Sequence, residues 1–594
     1  MSTAILTGQP VPGSSIEDDL RSLGFDVRVA GDVTDAETLL AQVPGDQRVA
    51  VVDTRFVGHL HALRLGLTDP RFPLAAVSGA VTAQAAGRQA LTRAMARENS
   101  AGGGAAVAVD NLADRIVTAL DADGADVHRP ELGSLVAEVP ADPQARNEAR
   151  QAVAAVDDEA VRLKSAVKAR DGFFTTFFIS PYSRYIARWC ARRGLTPNQV
   201  TTASLLTALI AAGCAATGTR PGYVAAGILL ICSFVLDCTD GQLARYSLQY
   251  STLGAWLDAT FDRAKEYAYY AGLALGAARG GDDVWALALG AMVLQTCRHV
   301  VDFSFNEANH DATANTSPTA ALSGRLDSVG WTVWVRRMIV LPIGERWAMI
   351  AVLTAVTTPR ITFYVLLVGC AFAATYTTAG RVLRSLTRKA TRTDRAAQAL
   401  ADLADSGPLA QAVARVAPRV PAPVSAAAGG LLVVISAAVW GAGWPTVLGA
   451  VAYVLLSGAA VSRPLKGALD WLVPPFFRAA EYGTVLLLAA KSGVNGVLPA
   501  AFGLVAAVAY HHYDTVYRIR GNAGASPAWL VRAIGGHEGR TLLVTVLAAL
   551  LTASQFKVAL TVLAVAVALV VLVESIRFWV SAGAPAVHDE GEPA

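Results

Sequence analysis

Apolar segments recur along most of this 594-residue chain, and they constrain its fold more than any other feature. Inside a bilayer the backbone finds no water to bind, so an apolar segment that crosses it must be helical. Six such segments lie near 199–217, 222–242, 254–276, 283–303, 340–358 and 361–382, and six more near 424–442, 445–461, 478–492, 496–513, 541–553 and 556–578. The sequence therefore predicts an α-helical polytopic membrane protein with about 12 transmembrane helices arranged as 6+6.

Four carboxylates interrupt these segments, in the stretch DCTDGQLARYSLQYSTLGAWLDATFD from 237 to 262. A carboxylate at the bilayer centre costs roughly 2.5–3.5 kcal/mol on insertion scales, so four of them indicate a function. Asp237 and Asp240 are three residues apart and share one helix face. Asp258 and Asp262, four apart, share a face of the next helix. Two helices with two acids each can bind divalent cations, and an acid-lined ion or proton path is the alternative.

Small residues and one arginine accompany the acids. Gly241 and Gly254 bracket the turn between the two helices, where a bulky ligand needs a close approach to the backbone. Arg245 stands where an anionic ligand can meet it. Metal-binding acids beside an arginine are typical of a site for a pyrophosphate.

These positions form one pattern, which reads Asp237-x2-Asp240-Gly241-x2-Ala244-Arg245-x8-Gly254-x3-Asp258-x3-Asp262. The pattern resembles, without departure, the signature of the CDP-alcohol phosphotransferases (CDP-alcohol phosphatidyltransferases). The stretch RGLTPNQVTT at 193–202 also resembles the start of that family's first membrane helix. The resemblance covers about 170–390. It is nearest to the branch that uses inositol phosphate, which includes di-myo-inositol-phosphate-phosphate synthase.

The resemblance implies a phosphotransferase for substituted phosphate groups. Such an enzyme moves a phosphoalcohol group from a CDP-linked donor, CDP-diacylglycerol or a CDP-polyol, to a hydroxyl acceptor such as inositol phosphate. CMP is released and a phosphodiester forms, in phospholipid or polyol-phosphate synthesis. The family implies Mg²⁺ or Mn²⁺, as two divalent ions. A transporter with six-plus-six helices and a catalytically inert lipid-pathway scaffold are the other readings.

The same resemblance assigns roles to the residues of the pattern. The four aspartates are the expected metal ligands, Asp237, Asp240, Asp258 and Asp262. CDP is expected to contact Asp240, Gly241, Ala244, Arg245 and Gly254. Asp262 is also the expected general base, which takes the proton of the acceptor hydroxyl.

Three arginines follow at the same predicted end of the helices as the acids. They are Arg298, Arg346 and Arg381. In relatives that use inositol phosphate, arginines in comparable places hold the acceptor's phosphate. The alternative is that they anchor the helices at the cytoplasmic surface, as the positive-inside rule describes.

Residues 171–193 predict the orientation. Aromatic residues and arginines alternate there at helical spacing, which is typical of an amphipathic helix lying on the membrane. Its arginines directly precede the first span, so the N-terminus and the active site are predicted to be cytoplasmic, at the plasma membrane. A net charge of +3 is too small to indicate a nucleic-acid partner.

Residues 1–141 predict a soluble, Rossmann-like α/β domain. Strands are expected at 4–6, 27–29, 49–52 and 74–77, in a parallel sheet, and helices near 15–23, 34–42, 57–66 and 82–98. The order of elements resembles a cytidylyltransferase, but the first turn, 7–13, has no Lys or Arg to hold a triphosphate. A vestigial or regulatory domain is therefore expected, with an active cytidylyltransferase as the alternative. A linker helix should follow at 142–170.

The second membrane half, 424–580, reads as a degenerate copy of the six-helix domain at 171–390. WLDATFDRAKEY at 256–267 and WLVPPFFRAAEY at 471–482 share seven of twelve residues by direct count. Val473 and Phe477 stand in place of Asp258 and Asp262, so the copy cannot hold a metal. The chain could thus form an intrachain pseudo-dimer, or a homodimer. A linker at 391–423 and a polar tail at 581–594 complete the predicted organisation.

Overall fold

The computed structural model is mostly helical. It describes residues 2–9, 11–101, 111–169, 171–310, 313–316, 334, 338–387 and 389–581. The predicted polar tail lies outside the described residues beyond Ser581. A small α/β domain opens the chain, and two sets of long helices follow it.

The N-terminal domain is built on a five-stranded mixed sheet with the order β2-β1-β3-β6-β5. The strands of the chain are β1 Ser2–Thr7, β2 Phe25–Ala30, β3 Arg48–Asp53, β4 Val57–Gly58, β5 Leu74–Val77, β6 Ala80–Ala83, β7 Ala137–Glu138, β8 Thr313–Thr316 and β9 Lys389–Thr391. β1 pairs in parallel with β2 and β3, while β6 runs antiparallel to both β3 and β5. β4 pairs with β7, and β8 with β9.

The mixed sheet departs from the predicted parallel one, and the reason lies in one turn. β5 and β6 are joined by two residues only, and Gly79 takes a φ of +72°, which favours glycine. A two-residue loop closes an antiparallel hairpin, whereas a parallel connection needs a crossover of a dozen residues or more. The helix predicted over 82–98 consequently begins only at Arg88, because the chain before it completes β6.

Helices cover both faces of this sheet and lead into the membrane region. They are α1 Ile16–Ser22, α2 Val33–Gln42, α3 Leu60–Leu67, α4 Arg88–Ala101, α5 Leu112–Ala122, α6 Pro143–Ala154, α7 Asp158–Ser165 and α8 Ser180–Arg192. The single linker helix predicted at 142–170 is thus two helices. Asp157 causes the break, because its carboxylate accepts hydrogen bonds from the backbone N–H groups of Glu159 and Ala160 and so caps α7.

Twelve helices coincide with the twelve predicted spans. The first six are α9 Pro197–Ala216, α10 Arg220–Ser247, α11 Thr252–Arg279, α12 Trp285–Asn309, α13 Ile343–Val356 and α14 Pro359–Thr387. After α15 Asp394–Ala404 and α16 Pro408–Ala414 come α17 Ala422–Trp440, α18 Trp444–Ala460, α19 Val473–Lys491 and α20 Val497–Arg520. The short α21 Ala528–Ile534 precedes the last two, α22 Gly536–Leu550 and α23 Ala553–Ser581.

Five of these helices are long and apolar enough to cross a membrane: α9, α10, α14, α17 and α23. That the other seven cross it as well stays a prediction. Helices such as α11 and α12 fall short because they carry clustered charges, for example Arg263 and Glu266 on α11. Such charges are expensive in lipid and face the protein interior, and both of these side chains are largely buried.

The two helix sets pack against each other inside the molecule. α11 and α12 of the first set contact α20 of the second, and α12 also contacts α19. Trp285 meets Phe502 edge to face across this interface, with ring centroids 5.7 Å apart. One continuous apolar core joins residues of both sets.

Candidate active site

A left-handed turn between α10 and α11 places the predicted acids at one end of the bundle. Leu248 ends α10 with a φ of +53°. Ser251 then starts α11, because its hydroxyl accepts a hydrogen bond from the backbone N–H of Gly254. Both helices pack against α9, so the acids of α10 and α11 converge above a common neighbour.

Three of the four predicted acids form a group that fits a divalent cation. One oxygen each from Asp237, Asp240 and Asp258 lies within 4.8 Å of the others. Ligands on opposite sides of Mg²⁺ or Ca²⁺ are roughly 4–5 Å apart, so one ion can bridge the group. Asp240 is buried, and its Oδ2 has no hydrogen-bond partner in the described part of the chain. A buried carboxylate oxygen without a partner is costly, which favours a cation there.

The fourth acid, Asp262, pairs instead with a lysine. The ammonium of Lys265 lies 3.0 Å from Asp262 Oδ1 and donates a hydrogen bond to Asp237 Oδ1. It also donates to Ser204 Oγ at 3.1 Å. The Lys265 side chain is fully buried. The sequence analysis missed this residue, although a lysine three positions after an acid on one helix face is a readable signal.

The small residues of the pattern have close neighbours of their own. A Cβ at Gly254 would lie 2.7 Å from Asn198 Oδ1, so a larger residue there would displace the Asn198 side chain of α9. Asn198 belongs to the stretch 193–202, whose Thr196 and Gln199 form a reciprocal capping box at the start of α9. Gly241 lies beneath the guanidinium of Arg245, where an added Cβ would be 3.5 Å from Nη1.

The linker after α7 reaches this end of the bundle. Arg245 Nε donates a hydrogen bond of 2.6 Å to the carbonyl of Ala166. Arg162 donates to the carbonyl of Tyr246 at 2.8 Å, and its guanidinium lies 3.5 Å from the centre of the Tyr246 ring. The Tyr246 hydroxyl donates to Glu159. The linker that follows the N-terminal domain is therefore tied to α10, the helix that carries Asp237 and Asp240.

The three predicted acceptor arginines each have protein partners. Arg346 donates to both carboxylate oxygens of Glu266, from Nε at 3.0 Å and from Nη2 at 3.2 Å. Arg298 donates to the carbonyls of Val340 and Leu341, and its buried Nε has no partner among the described residues. Arg381 pairs with Asp302.

Arg263 extends the basic group around Glu266. Its Nη1 lies 3.3 Å from Glu266 Oε2 and 3.2 Å from His299 Nδ1. Within the described residues, Glu266 is the only carboxylate in ion-pair distance of Arg263 or Arg346. Two guanidinium groups thus share one carboxylate. The site combines a cation-binding acid group with a neighbouring basic group that has an excess positive charge.

Comparison with known proteins identifies this half of the chain. Residues 194–375 match the family of CDP-alcohol phosphatidyltransferases. They form a CDP-alcohol phosphatidyltransferase domain. Together with the apolar helices, this match marks the chain as a multi-pass membrane protein. Residues 394–594 match a family of unknown function (DUF5941).

Several curated proteins are similar to the CDP-alcohol phosphatidyltransferase domain. Archaetidylinositol phosphate synthase of Pyrococcus horikoshii is 32% identical over 113 residues, which are 19% of this chain and 58% of that protein. Phosphatidylinositol phosphate synthase of Streptomyces avermitilis is 35% identical over 131 residues, 21% of this chain and 51% of that protein. The bifunctional IPC transferase and DIPP synthase of Aquifex aeolicus is 32% identical over 114 residues, which are 19% of this chain and 26% of that protein. The chain thus spans between a quarter and three fifths of these relatives.

The second half repeats the arginine–glutamate contacts of the CDP-alcohol phosphatidyltransferase domain. Glu481 accepts hydrogen bonds from Arg478, three residues earlier, and from Arg540 on a later helix. In the same way, Glu266 binds Arg263, three residues earlier, and Arg346 on a later helix. A further carboxylate, Asp405, joins the second cluster: it accepts from Arg540 at 2.8 Å and lies 3.5 Å from Arg478 Nη1.

The acid group itself has no counterpart among the described residues of the second half. Phe477, at the position of Asp262, stacks on His537 with ring centroids 4.0 Å apart. Val473, at the position of Asp258, is fully buried. Near the end of α20, Arg518 pairs with Asp514 and with Glu574.

Proposed function

We propose that this protein is a CDP-alcohol phosphotransferase that transfers a phosphoalcohol group from a CDP-linked donor to a polyol phosphate, with release of CMP. The observation that carries the proposal is the convergence of Asp237, Asp240 and Asp258 on a point where a buried Asp240 oxygen lacks a partner among the residues that the structure describes. The names of the similar proteins, archaetidylinositol phosphate synthase and phosphatidylinositol phosphate synthase, favour inositol phosphate as the acceptor. The donor is CDP-diacylglycerol or a CDP-polyol.

The acids would hold Mg²⁺ or Mn²⁺, which supplies positive charge against the donor's pyrophosphate. Arg245 adds a guanidinium at the same end of α10, and Gly241 beneath it leaves room for the nucleotide. Ala244 is the third small residue on this stretch of α10, and Gly254 lets α9 approach the start of α11. These residues account for binding and orientation of the CDP group.

Asp262 is the group best placed to act as general base. It lies one turn beyond Asp258, and Lys265 holds it in place at 3.0 Å. The acceptor hydroxyl gives its proton to the Asp262 carboxylate while its oxygen bonds to the β-phosphorus of the donor. The bond from that phosphorus to the bridging oxygen breaks, and CMP leaves with the electron pair.

The basic group around Glu266 supports an anionic acceptor. Arg263 and Arg346 share the single carboxylate of Glu266, so their cluster carries an excess positive charge that a phosphate would neutralise. Arg298 Nε, which has no partner within the described part of the chain, could add a donor to the same phosphate. Arg381 fits anchoring better, because Asp302 already neutralises it.

The remaining parts are proposed to support this reaction. The N-terminus and the acids are proposed to lie on the cytoplasmic side of the plasma membrane, in keeping with the positive-inside rule, and soluble CDP-linked donors are made on that side. The N-terminal domain is proposed as a vestigial nucleotidyltransferase-like module. The second half is proposed as a degenerate copy that packs on α11 and α12 within one chain, in place of a partner subunit.

The test is CMP release by purified, folded protein in detergent with Mg²⁺. CDP-diacylglycerol and CDP-inositol are supplied separately, each with inositol phosphate as the acceptor. CMP from only one donor identifies that donor as lipid or soluble. Asp262→Asn should abolish CMP release while donor binding persists, which separates a base from a metal ligand. Absence of CMP with both donors would reject inositol phosphate as the acceptor for these donors and favour another alcohol, and transport of substrate without CMP release would favour a transporter.

A further inference from the structure

Lys265 is a fully buried ammonium inside the acid group. It contacts Asp237 and Asp262, one from each pair of the acid pattern, and Ser204 on α9. Burying a lysine is unfavourable unless carboxylates compensate its charge, and two carboxylates do so here. The contacts therefore place a permanent positive charge between α10 and the last acid of α11.

The surroundings of Lys265 fix the ammonium in place. Ser204 binds it from α9, and the ring of Trp347 lies 5.4 Å away on another side. Because the side chain has no exposed surface, it cannot turn towards solvent to make way for another cation. A second divalent ion shared by Asp237 and Asp262 would have to lie beside this ammonium, with strong repulsion.

The second half offers an internal control for this reading. Its counterpart helix carries Val473 and Phe477 where the CDP-alcohol phosphatidyltransferase domain carries Asp258 and Asp262. The residue at the position of Lys265 is Ala480, which is buried. The lysine is thus present where the acids are present and absent where they are replaced. A lysine needed only for helix packing would have no reason to follow the acids.

We propose that the Lys265 ammonium takes the place of the second cation, so that the site binds one divalent ion, on Asp237, Asp240 and Asp258. This inference rests on the proposed function. It differs from the expectation drawn from the sequence, which was two divalent ions. In two-metal phosphoryl-transfer sites the ions lie about 3.5–4 Å apart and share the charge stabilisation. Here Lys265, as a positioning residue, supplies part of that charge through Asp262 and Asp237.

The test counts Mn²⁺ bound to the full-length protein in detergent, by electron paramagnetic resonance of free and bound ion. Wild type should bind about one Mn²⁺ per chain and show no exchange-coupled signal. Lys265→Met keeps the volume and removes the charge, and it should bind about two Mn²⁺ per chain with exchange coupling. Asp258→Asn should lose the wild-type ion, which locates the counted ion at the acid group.

The outcomes separate this inference from the proposed function. Two coupled Mn²⁺ ions in wild type would overturn it, even if CMP is released. One ion in both wild type and Lys265→Met would overturn it as well. One Mn²⁺ in wild type and two in Lys265→Met would support it, whether or not CMP is released with the tested donors. If Lys265→Met does not fold, the wild-type count alone decides.

Discussion

The two membrane halves contain the same charged contact and use it differently. Glu266 in the first half and Glu481 in the second each bind two arginines, one on the same helix and one on a later helix. In the second half Asp405 contributes another carboxylate, so two positive charges meet two negative ones. In the first half the arginine excess stays, beside the acid group. The same contact is therefore balanced in charge in the second half and carries an arginine excess in the first half, where we propose that an anion binds.

The acid positions show the same divergence. Asp258 and Asp262 point to chemistry in the first half, whereas the second half fills both positions with buried apolar side chains. Replacing buried charges by well-packed apolar groups is often neutral or stabilising. We therefore expect the second half to tolerate the loss of a carboxylate better than the first half does.

The largest difference should come from the acids themselves. Asp258→Asn removes a cation ligand, and we expect CMP release to fall by about 10³-fold, since a bound ion contributes several kcal/mol. Asp470→Asn is the matched control, because Asp470 is a buried aspartate of the second half that binds the backbone N–H of Gly467. It should retain most activity. Equal losses in both variants would contradict the division of roles.

The second prediction compares the two glutamates. Glu266→Gln leaves Arg263 and Arg346 buried with no carboxylate in ion-pair distance among the described residues, and we expect unfolding to become easier by about 3–5 kcal/mol. Glu481→Gln should cost less, because Asp405 still pairs with Arg478 and Arg540. Denaturant unfolding in detergent measures both. A larger loss for Glu481→Gln would show that the second cluster, not the first, depends on one carboxylate.

The third prediction concerns Asp405, which lies outside the proposed spans. Burial raises its pKa, but Arg540 and His511 outweigh this and hold the pKa well below its usual range. The charged Asp405 carboxylate therefore stabilises the fold at any pH above the pKa of an aspartate in the unfolded chain, about 3.9. This stabilisation is lost as the pH falls through the pKa of Asp405 in the folded protein. Asp405→Asn should lower stability by about 2 kcal/mol at neutral pH.

The dependence of thermal stability on pH tests whether the charge of Asp405 is responsible. Thermal midpoints of wild type and Asp405→Asn should differ at pH 7 and converge as the solution is acidified below about pH 4. CMP release per folded molecule should not change. A difference that persists undiminished in acid would mean that Asp405 stabilises the protein by packing rather than by its charge.

The smallest effect should come from one hydroxyl between the halves. The hydroxyl of Tyr513 on α20 lies 2.5 Å from His299 Nδ1 on α12. Tyr513→Phe should lower the free energy of unfolding by about 1 kcal/mol. If His299 positions Arg263, the same substitution should lower the rate of CMP release roughly fivefold. Tyr482→Phe is its control, because the buried Tyr482 hydroxyl has no partner in the described structure. Identical effects would show that the contact between the halves does not influence the site.

Local spacing made much of the molecule predictable. The helix-face rule accounts for the closeness of Asp237 and Asp240 on α10, and apolar periodicity gave helices at all twelve expected segments. The antiparallel hairpin at Gly79 was not predicted, because its second strand is too short to be distinguished from the helix that follows. Lys265 was not predicted as part of the acid group, although it follows Asp262 by three residues on the same helix face.

Contacts between distant elements could not be read from the sequence. Arg346 stands where an acceptor arginine was expected, yet its partner Glu266 is 80 residues away on another helix. Asp405 comes from a segment that reads as linker, and only folding brings it beside Arg540, 135 residues later. No periodicity encodes such pairings, because each depends on how helices pack.

The packing of α12 against α19 and α20 within one chain has an evolutionary consequence. In a symmetric homodimer every substitution appears on both sides of the interface, so each side must remain compatible with a copy of itself. Here a change in one half alters one side only, and the other side can adapt to it separately. The surface beside the proposed active site can thus change on one side without a matching change on the other.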